Sequence, residues 1–159
     1  MSDEKREGGL VLDAYLPYRL SVASNAVSGL IARAYEDRFG LSVPQWRLIC
    51  VLAEGGPMTQ VQIVARTVMD KVTVSRAVQA LVRRHLVERT RHVSDARSQV
   101  IALSGQGHGL YAEIAPMAVA YEAALISDLT PEEVAVLKRL LLRLQAAAGD
   151  LARGSPPRP

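Results

Sequence analysis

The side chains able to grip a polyanion are concentrated in one stretch of this 159-residue chain. Between Met58 and Leu103 stand eight bases: Arg66, Lys71, Arg76, Arg83, Arg84, Arg89, Arg91 and Arg97. Only three acids accompany them: Asp70, Glu88 and Asp95. The stretch therefore carries +5, and with +3 for the whole chain the remainder is −2. A basic block inside a slightly acidic protein is the footprint of a polyanion-binding surface. The block contains no Phe, Tyr or Trp. Single-strand and RNA readers use aromatic platforms on which bases stack, so duplex DNA is the better partner. The alternative is a non-enzymatic interaction module whose basic block binds an acidic partner rather than a specific DNA site.

Other chemistries find little support. Cys50 and the histidines His85, His92 and His108 show no zinc-ligand spacing, so no metal and no cofactor is expected. Ser75 and Cys50 are nucleophile types without a base at a recognisable spacing, and no phosphate loop or paired-His motif is present, so the chain reads as no enzyme. A single cysteine excludes an intramolecular disulfide. Cys50 lies beside Ile49, Val51 and Leu52 and reads as a core thiol, a poor redox trigger. Hydrophobic residues make up 49% and charged residues 22%, enough to bury a core. No run approaches the roughly 18 apolar residues of a membrane span. Met1 to Leu10 lacks the apolar centre of a signal peptide, so a cytoplasmic location is expected.

The elements that must position the basic block can be read from period and punctuation. Leu16, Leu20, Ala23, Val27, Leu30 and Ala34 form a heptad-like stripe on a long helix, with Pro17 in its first turn and Gly40 ending it. Ser42 and Gln45 form a capping-box start for a helix through Trp46, Ile49, Cys50 and Ala53, which stops at Gly55-Gly56-Pro57. Thr59 and Gln62 repeat that signal before a short helix carrying Val61, Val64 and Ala65. Met69-Asp70 makes a turn, and Asp70 caps a helix that buries Val74, Val78, Leu81 and Val82 and shows Lys71, Thr73, Arg76, Gln79 and Arg83. Two short helices joined by a tight turn are a helix-turn-helix candidate. Alternation at Val87 to Thr90 and the run Gln99 to Leu103 predict a β-hairpin, with His92 to Arg97 at its polar tip. A hairpin in that place is a wing.

Ser104 starts another long helix, striped by Leu110, Ile114, Met117, Tyr121 and Leu125, in which Pro116 should make a kink or a break. Thr130-Pro131-Glu132-Glu133 is a strong helix start. Val134, Leu137, Leu141, Leu144 and Ala148 follow, with Leu140 and Leu142 widening an apolar face too large to be solvated alone. Gly149 is expected to end that helix, and Gly154 to Pro159 to form a disordered tail. The fold class is thus mainly α with a small β-wing: a winged helix-turn-helix flanked by long helices.

This order resembles the MarR (multiple antibiotic resistance regulator) family of winged-helix transcription factors. Val72-Thr73-Val74-Ser75-Arg76-Ala77-Val78 through Leu81 looks like its recognition helix. Leu86-Val87-Glu88-Arg89 looks like its helix-to-wing junction, with His85 where the family usually has glycine. Asp95-Ala96-Arg97, then Val100, Leu103-Ser104 and Gly107, resembles its wing signature, with Ser104 in place of threonine. The resemblance spans residues 12 to 148. It implies a homodimer, with residues 12–40 and 104–149 as dimerisation helices and 41–103 as the DNA-binding region. Residues 1–11 and 150–159 are then flexible tails. Three long apolar helices point the same way, since a partner chain is their natural cover.

In a major groove, Arg76 can donate two hydrogen bonds to guanine, Gln79 can read adenine, and Val72 and the Thr73 methyl can touch thymine methyls. Ser75 shares that helix and joins the set. Lys71, Arg83 and Arg84 suit phosphates, and Thr59 and Gln60 open a helix whose backbone N–H groups can face one. Arg97 suits a narrow minor groove. The resemblance gives Asp95 the task of holding Arg97 by an ion pair. It also implies a small-molecule effector that releases DNA. Tyr18, Arg19, Ser24, Asn25, Trp46 and Arg47 are the candidates for contacting it. Leu16 to Ser21 resembles members responding to aromatic acids or their coenzyme A thioesters. Arg19 can pair with an effector carboxylate or with an acid of the partner helix. The expected protein is a repressor binding a near-palindromic operator.

Overall fold

The computed structural model describes residues 9–91 and 99–154, which fall into two compact units, Met1–Ile114 and Ala115–Pro159. The first unit opens with a 3-10 turn, Leu12–Ala14, and a long helix α1, Leu16–Phe39. Pro17 sits in its first turn, and Gly40 closes it in the left-handed conformation, φ 60°, with its N–H donating to the Glu36 carbonyl at 2.9 Å. Helix α2, Val43–Gly55, follows, then a two-residue strand β1, Met58–Thr59, and helices α3, Gln60–Thr67, and α4, Lys71–Arg83. Strands β2, Val87–Arg91, and β3, Gln99–Leu103, lead into α5, Gly105–Leu125. The second unit holds the rest of α5 together with α6, Pro131–Arg153. This is the winged-helix class expected.

The core of the first unit lies where α2, α3 and α4 meet the sheet. Leu48, Ile49, Leu52, Ile63, Val74, Val78, Leu81, Val87 and Ile101 are all buried there, and Ile114 of α5 is buried as well. The sheet order is β1-β3-β2, antiparallel throughout, with Met58 opposite Ile101 and Val87 opposite Leu103. The hairpin β2–β3 is the wing. Its expected tip, with Asp95 and Arg97, lies outside the described residues. Strand β1 has no counterpart in the periodicity: two residues are too few to show alternation, and only β3 makes them a strand.

The α4–β2 junction is locked against the start of α5. The Ser104 N–H donates to the Leu86 carbonyl at 3.1 Å, and its hydroxyl donates to the His85 carbonyl at 2.6 Å. The Gly107 N–H in turn donates to that hydroxyl oxygen at 3.0 Å, so Ser104 caps α5 as threonine would. His85 has φ 57°, which explains the preference for glycine at this place in the resemblance.

Two expectations about the long helices need correction. Helix α5 is one helix on both sides of Pro116, so of the expected kink or break the break does not occur. Pro116 removes the partner of the Ala112 carbonyl, but both residues lie on an exposed side where water can take that role. Helix α6 does not end at Gly149 but continues to Arg153, so residues 150–153 are helical rather than tail. A glycine inside a helix costs only about 1 kcal/mol, less than the propagating hydrogen bonds on either side supply.

Val68 ends α3 with φ 54° and ψ 28°, a left-handed conformation that β-branched residues adopt at a cost of roughly 1–2 kcal/mol. Its side chain is 75% exposed, so little packing compensates. Val68→Asn is therefore expected to stabilise the protein by about 1 kcal/mol, seen as a rise of about 2–4 °C in thermal denaturation. A fall in melting temperature would show that the valine makes a contact worth more than its strain.

Candidate nucleic-acid interface

The helix-turn-helix is built by its caps. The Thr59 N–H donates to Gln62 Oε1 at 2.8 Å, and the Gln62 N–H donates to Thr59 Oγ1 at 3.3 Å. The Thr59 amide is thus engaged within α3 and is not among those left to face a phosphate. Thr59 also pairs with Val100 of β3, so the start of α3 and the root of the wing are one assembly. After the Val68 turn, Asp70 caps α4. Its Oδ1 accepts from the Thr73 N–H at 2.8 Å, and its Oδ2 accepts from the Thr73 hydroxyl at 2.5 Å. The Thr73 hydroxyl and backbone N–H hold the Asp70 carboxyl below its ordinary value. The hydroxyl is spent on the cap, which leaves the methyl group of Thr73 for other contacts.

Burial then divides α4 in two. Val74, Ala77, Val78 and Leu81 face the core. Val72, Arg76, Gln79 and Arg83 are exposed at steps of four and three, one continuous stripe, with Lys71 exposed beside it. Thr73 and Ser75 are half-buried at its edges, as are Thr59 and Gln60 at the start of α3. Arg76 and Arg83 border a cleft of about 470 Å³, with Thr73, Ala77 and Ala80 of α4 on one side and Ser42, Pro44 and Gln45 on the other. The N-terminal end of α2 therefore belongs to this surface. Sequence reasoning missed it because Ser42 and Arg76 meet only through the α2–α4 packing. Two guanidinium groups and a helix N-terminus give the cleft a positive field suited to a phosphate.

Arg84 does not join the stripe. Its Nη1 donates to the Gly40 carbonyl and its Nη2 to the Phe39 carbonyl, both at 2.8 Å. Arg66 pairs with Glu54 at 3.4 Å, so its charge is partly spent within the fold.

The effector candidates divide. Tyr18, Arg19, Ser24 and Asn25 are exposed along the first half of α1. Trp46 is half-buried and stacks on Tyr35, with ring centroids 4.7 Å apart. Arg19 and Tyr35 are sixteen residues apart on one helix, about 24 Å of axial rise. Within one chain, Trp46 and its neighbour Arg47 therefore stand far from Arg19.

Cys50 is held in its thiol form. Burial, and then the Glu54 charge, push its pKa up to about 12. Because the folded value is raised above the unfolded one of 9.0, the associated stability is intact below pH 9 and fades as pH rises from there towards 12. Iodoacetamide at pH near 8 is expected to modify the native protein at least tenfold more slowly than the urea-unfolded chain, as mass spectrometry would show. Equal rates would put a reactive thiolate back in consideration.

Comparison with known proteins places these features. Residues 39–98 match the model of the MarR family. An uncharacterised HTH-type transcriptional regulator of Bacillus subtilis, YwoH, is 28% identical over 123 residues, covering 76% of this chain and 89% of its own. A MarR/EmrR family transcriptional regulator from Acinetobacter superposes with a TM-score of 0.83 at 26% identity, covering 89% of this chain and 99% of its own. A structure concerned with regulation of DNA binding of Bordetella bronchiseptica BpsR by 6-hydroxynicotinic acid superposes at 0.80 with 22% identity, over 87% of this chain and 98% of that one. Among the described residues, no helix is long and apolar enough to cross a membrane.

Proposed function

We propose that this chain, whose residues 39–98 match the MarR family model, is a homodimeric winged-helix repressor released from its operator by a small aromatic acid. The observation that carries the DNA-binding part is the exposed stripe Val72-Arg76-Gln79-Arg83 on a helix whose opposite face is wholly core. Such a helix enters a major groove with Arg76 and Gln79 towards base edges and Val72 and the Thr73 methyl towards thymine methyls. Lys71, Arg83 and the start of α2 then lie by the backbone, where contacts position without specifying. The family resemblance assigns Arg97, which lies outside the described residues, to the minor groove beside each half-site. No step in this reading is catalytic.

Dimerisation rests on apolar surface that one chain leaves open. On α1, Leu16, Val22 and Val27 are exposed, and on α6 so are Leu137, Leu140, Leu141 and Leu144. A second copy is the natural cover, and it places residues 12–40 and 104–149 in the shared layer. Release by an acid is supported by Arg19, exposed on α1, and by the regulation of DNA binding of the structurally similar BpsR by 6-hydroxynicotinic acid. Linkage requires that such an acid prefer the conformation that does not fit DNA.

The deciding experiment is selection of bound duplexes from a random pool at about 150 mM salt, where non-specific binding is weak. One inverted repeat should emerge, its half-site centres about 34 Å apart. Loss of all retention as salt rises, with no sequence enriched, would overturn the operator reading and favour an acidic protein partner for the basic block.

A further inference from the structure

The two hydrogen bonds of Arg84 join places far apart in sequence. Arg84 is the C-cap residue of α4, the helix of the exposed stripe. Phe39 is the last residue of α1 and Gly40 its cap. The chain itself satisfies two carbonyls one turn earlier: the Gly40 N–H donates to Glu36 at 2.9 Å and the Leu41 N–H to Tyr35 at 3.3 Å. The Phe39 and Gly40 carbonyls, at the negative end of a 24-residue helix, accept instead from the two terminal nitrogens of one guanidinium, at 2.8 Å each. A planar fork is suited to two adjacent acceptors in a way a single ammonium is not. One turn back along α1, Tyr35 is buried against Trp46 of α2. The end of α1, helix α2 and the end of α4 are thereby tied together.

We propose that Arg84 is a positioning residue that latches the recognition helix to the C-terminal end of α1 and contacts no DNA phosphate. This rests on the reading that α4 enters DNA. Its consequence is that a tilt of α1 carries α4 with it, so whatever acts on α1 is felt at the base edges.

Salt dependence and the fluorescence of Trp46, the single tryptophan of the chain, separate a latch from a phosphate contact. A lost phosphate contact lowers the slope of log K against log salt by about 0.9 per protomer. Arg84→Ala is expected to weaken binding to a duplex selected with the wild-type protein by about tenfold, with that slope unchanged. In the DNA-free protein, acrylamide quenching of Trp46 should rise, because the end of α1 is released. Arg84→Lys keeps the charge and should recover only part of the affinity, whereas at a phosphate it would recover nearly all. Arg83→Ala is the control that should lower the slope. A reduced slope in Arg84→Ala, unchanged affinity, full recovery by lysine or unaltered quenching would each overturn the latch. If Arg84→Ala does not fold, Arg84→Lys carries the same comparison. Absence of any salt-dependent DNA binding by the wild type would instead remove the DNA reading, leaving the quenching result to judge the latch.

Discussion

Arg76→Ala is expected to reduce operator affinity by about 10- to 100-fold and to relax discrimination at one base pair of each half-site. The magnitude follows from position. Arg76 stands in the middle of the exposed stripe, flanked by Val72 and Gln79, on a helix fixed from behind by Val74, Ala77, Val78 and Leu81. A side chain so placed has few alternatives once α4 lies in a groove, and a bidentate arginine–guanine pair is worth about 1–3 kcal/mol of discrimination. Competition binding with every base tested at each half-site position would measure it. The variant should tolerate substitutions at one position that the wild type rejects. A loss that is uniform across sequences, with a lower salt slope, would reassign Arg76 to the backbone beside Arg83 and the cleft they share.

Gly107→Ala should have the largest effect on stability. A methyl group there would overlap the carbonyl oxygen of Leu86 and lie 3.2 Å from Leu103 Cδ2. Neither neighbour can retreat easily. The Leu86 carbonyl accepts from Ser104, and Leu103 is paired with Val87 in the sheet. A cost of about 3 kcal/mol, at the upper end for overpacking, corresponds to a fall of about 6–12 °C in melting temperature. Thermal denaturation followed by circular dichroism would test this, and an unchanged melting temperature would mean that α5 can slide away from the junction. Gly105 and Gly109, with nothing within 4 Å of the same position, are the controls.

Much of this architecture was legible because its signals are local. The capping residues Ser42, Thr59, Asp70 and Thr130 mark helix starts through side-chain bonds that span only three residues. Gly40 marks a helix end through its own φ. The buried and exposed faces of α4 follow from a 3.6-residue period. What escaped depends on residues distant in sequence. Strand β1 exists only opposite β3. The α2 start joins the candidate interface only through packing on α4. Arg84 reads like Arg83 in the sequence, one more base in a basic run, until the end of α1 arrives beside it. The effector set drawn from α1 and α2 divides because helical rise separates Arg19 from Tyr35, which composition cannot register. Gly149 misled for the opposite reason: a local stop signal was outweighed by the helix around it.

The pairing of Thr59 with Val100 has a consequence for how the protein is made. A ribosome delivers α3 and α4 well before β3, so during synthesis the helix-turn-helix exists without the strand that anchors its first residue. Closing that loop is a long-range event, slower than forming either helix and paid for in chain entropy before it is rewarded. Only when Leu103 has emerged can the sheet form and set α3 against the wing. A nascent chain is thus expected to be blind to its operator until the wing is complete, and a peptide cut after α4 should remain so.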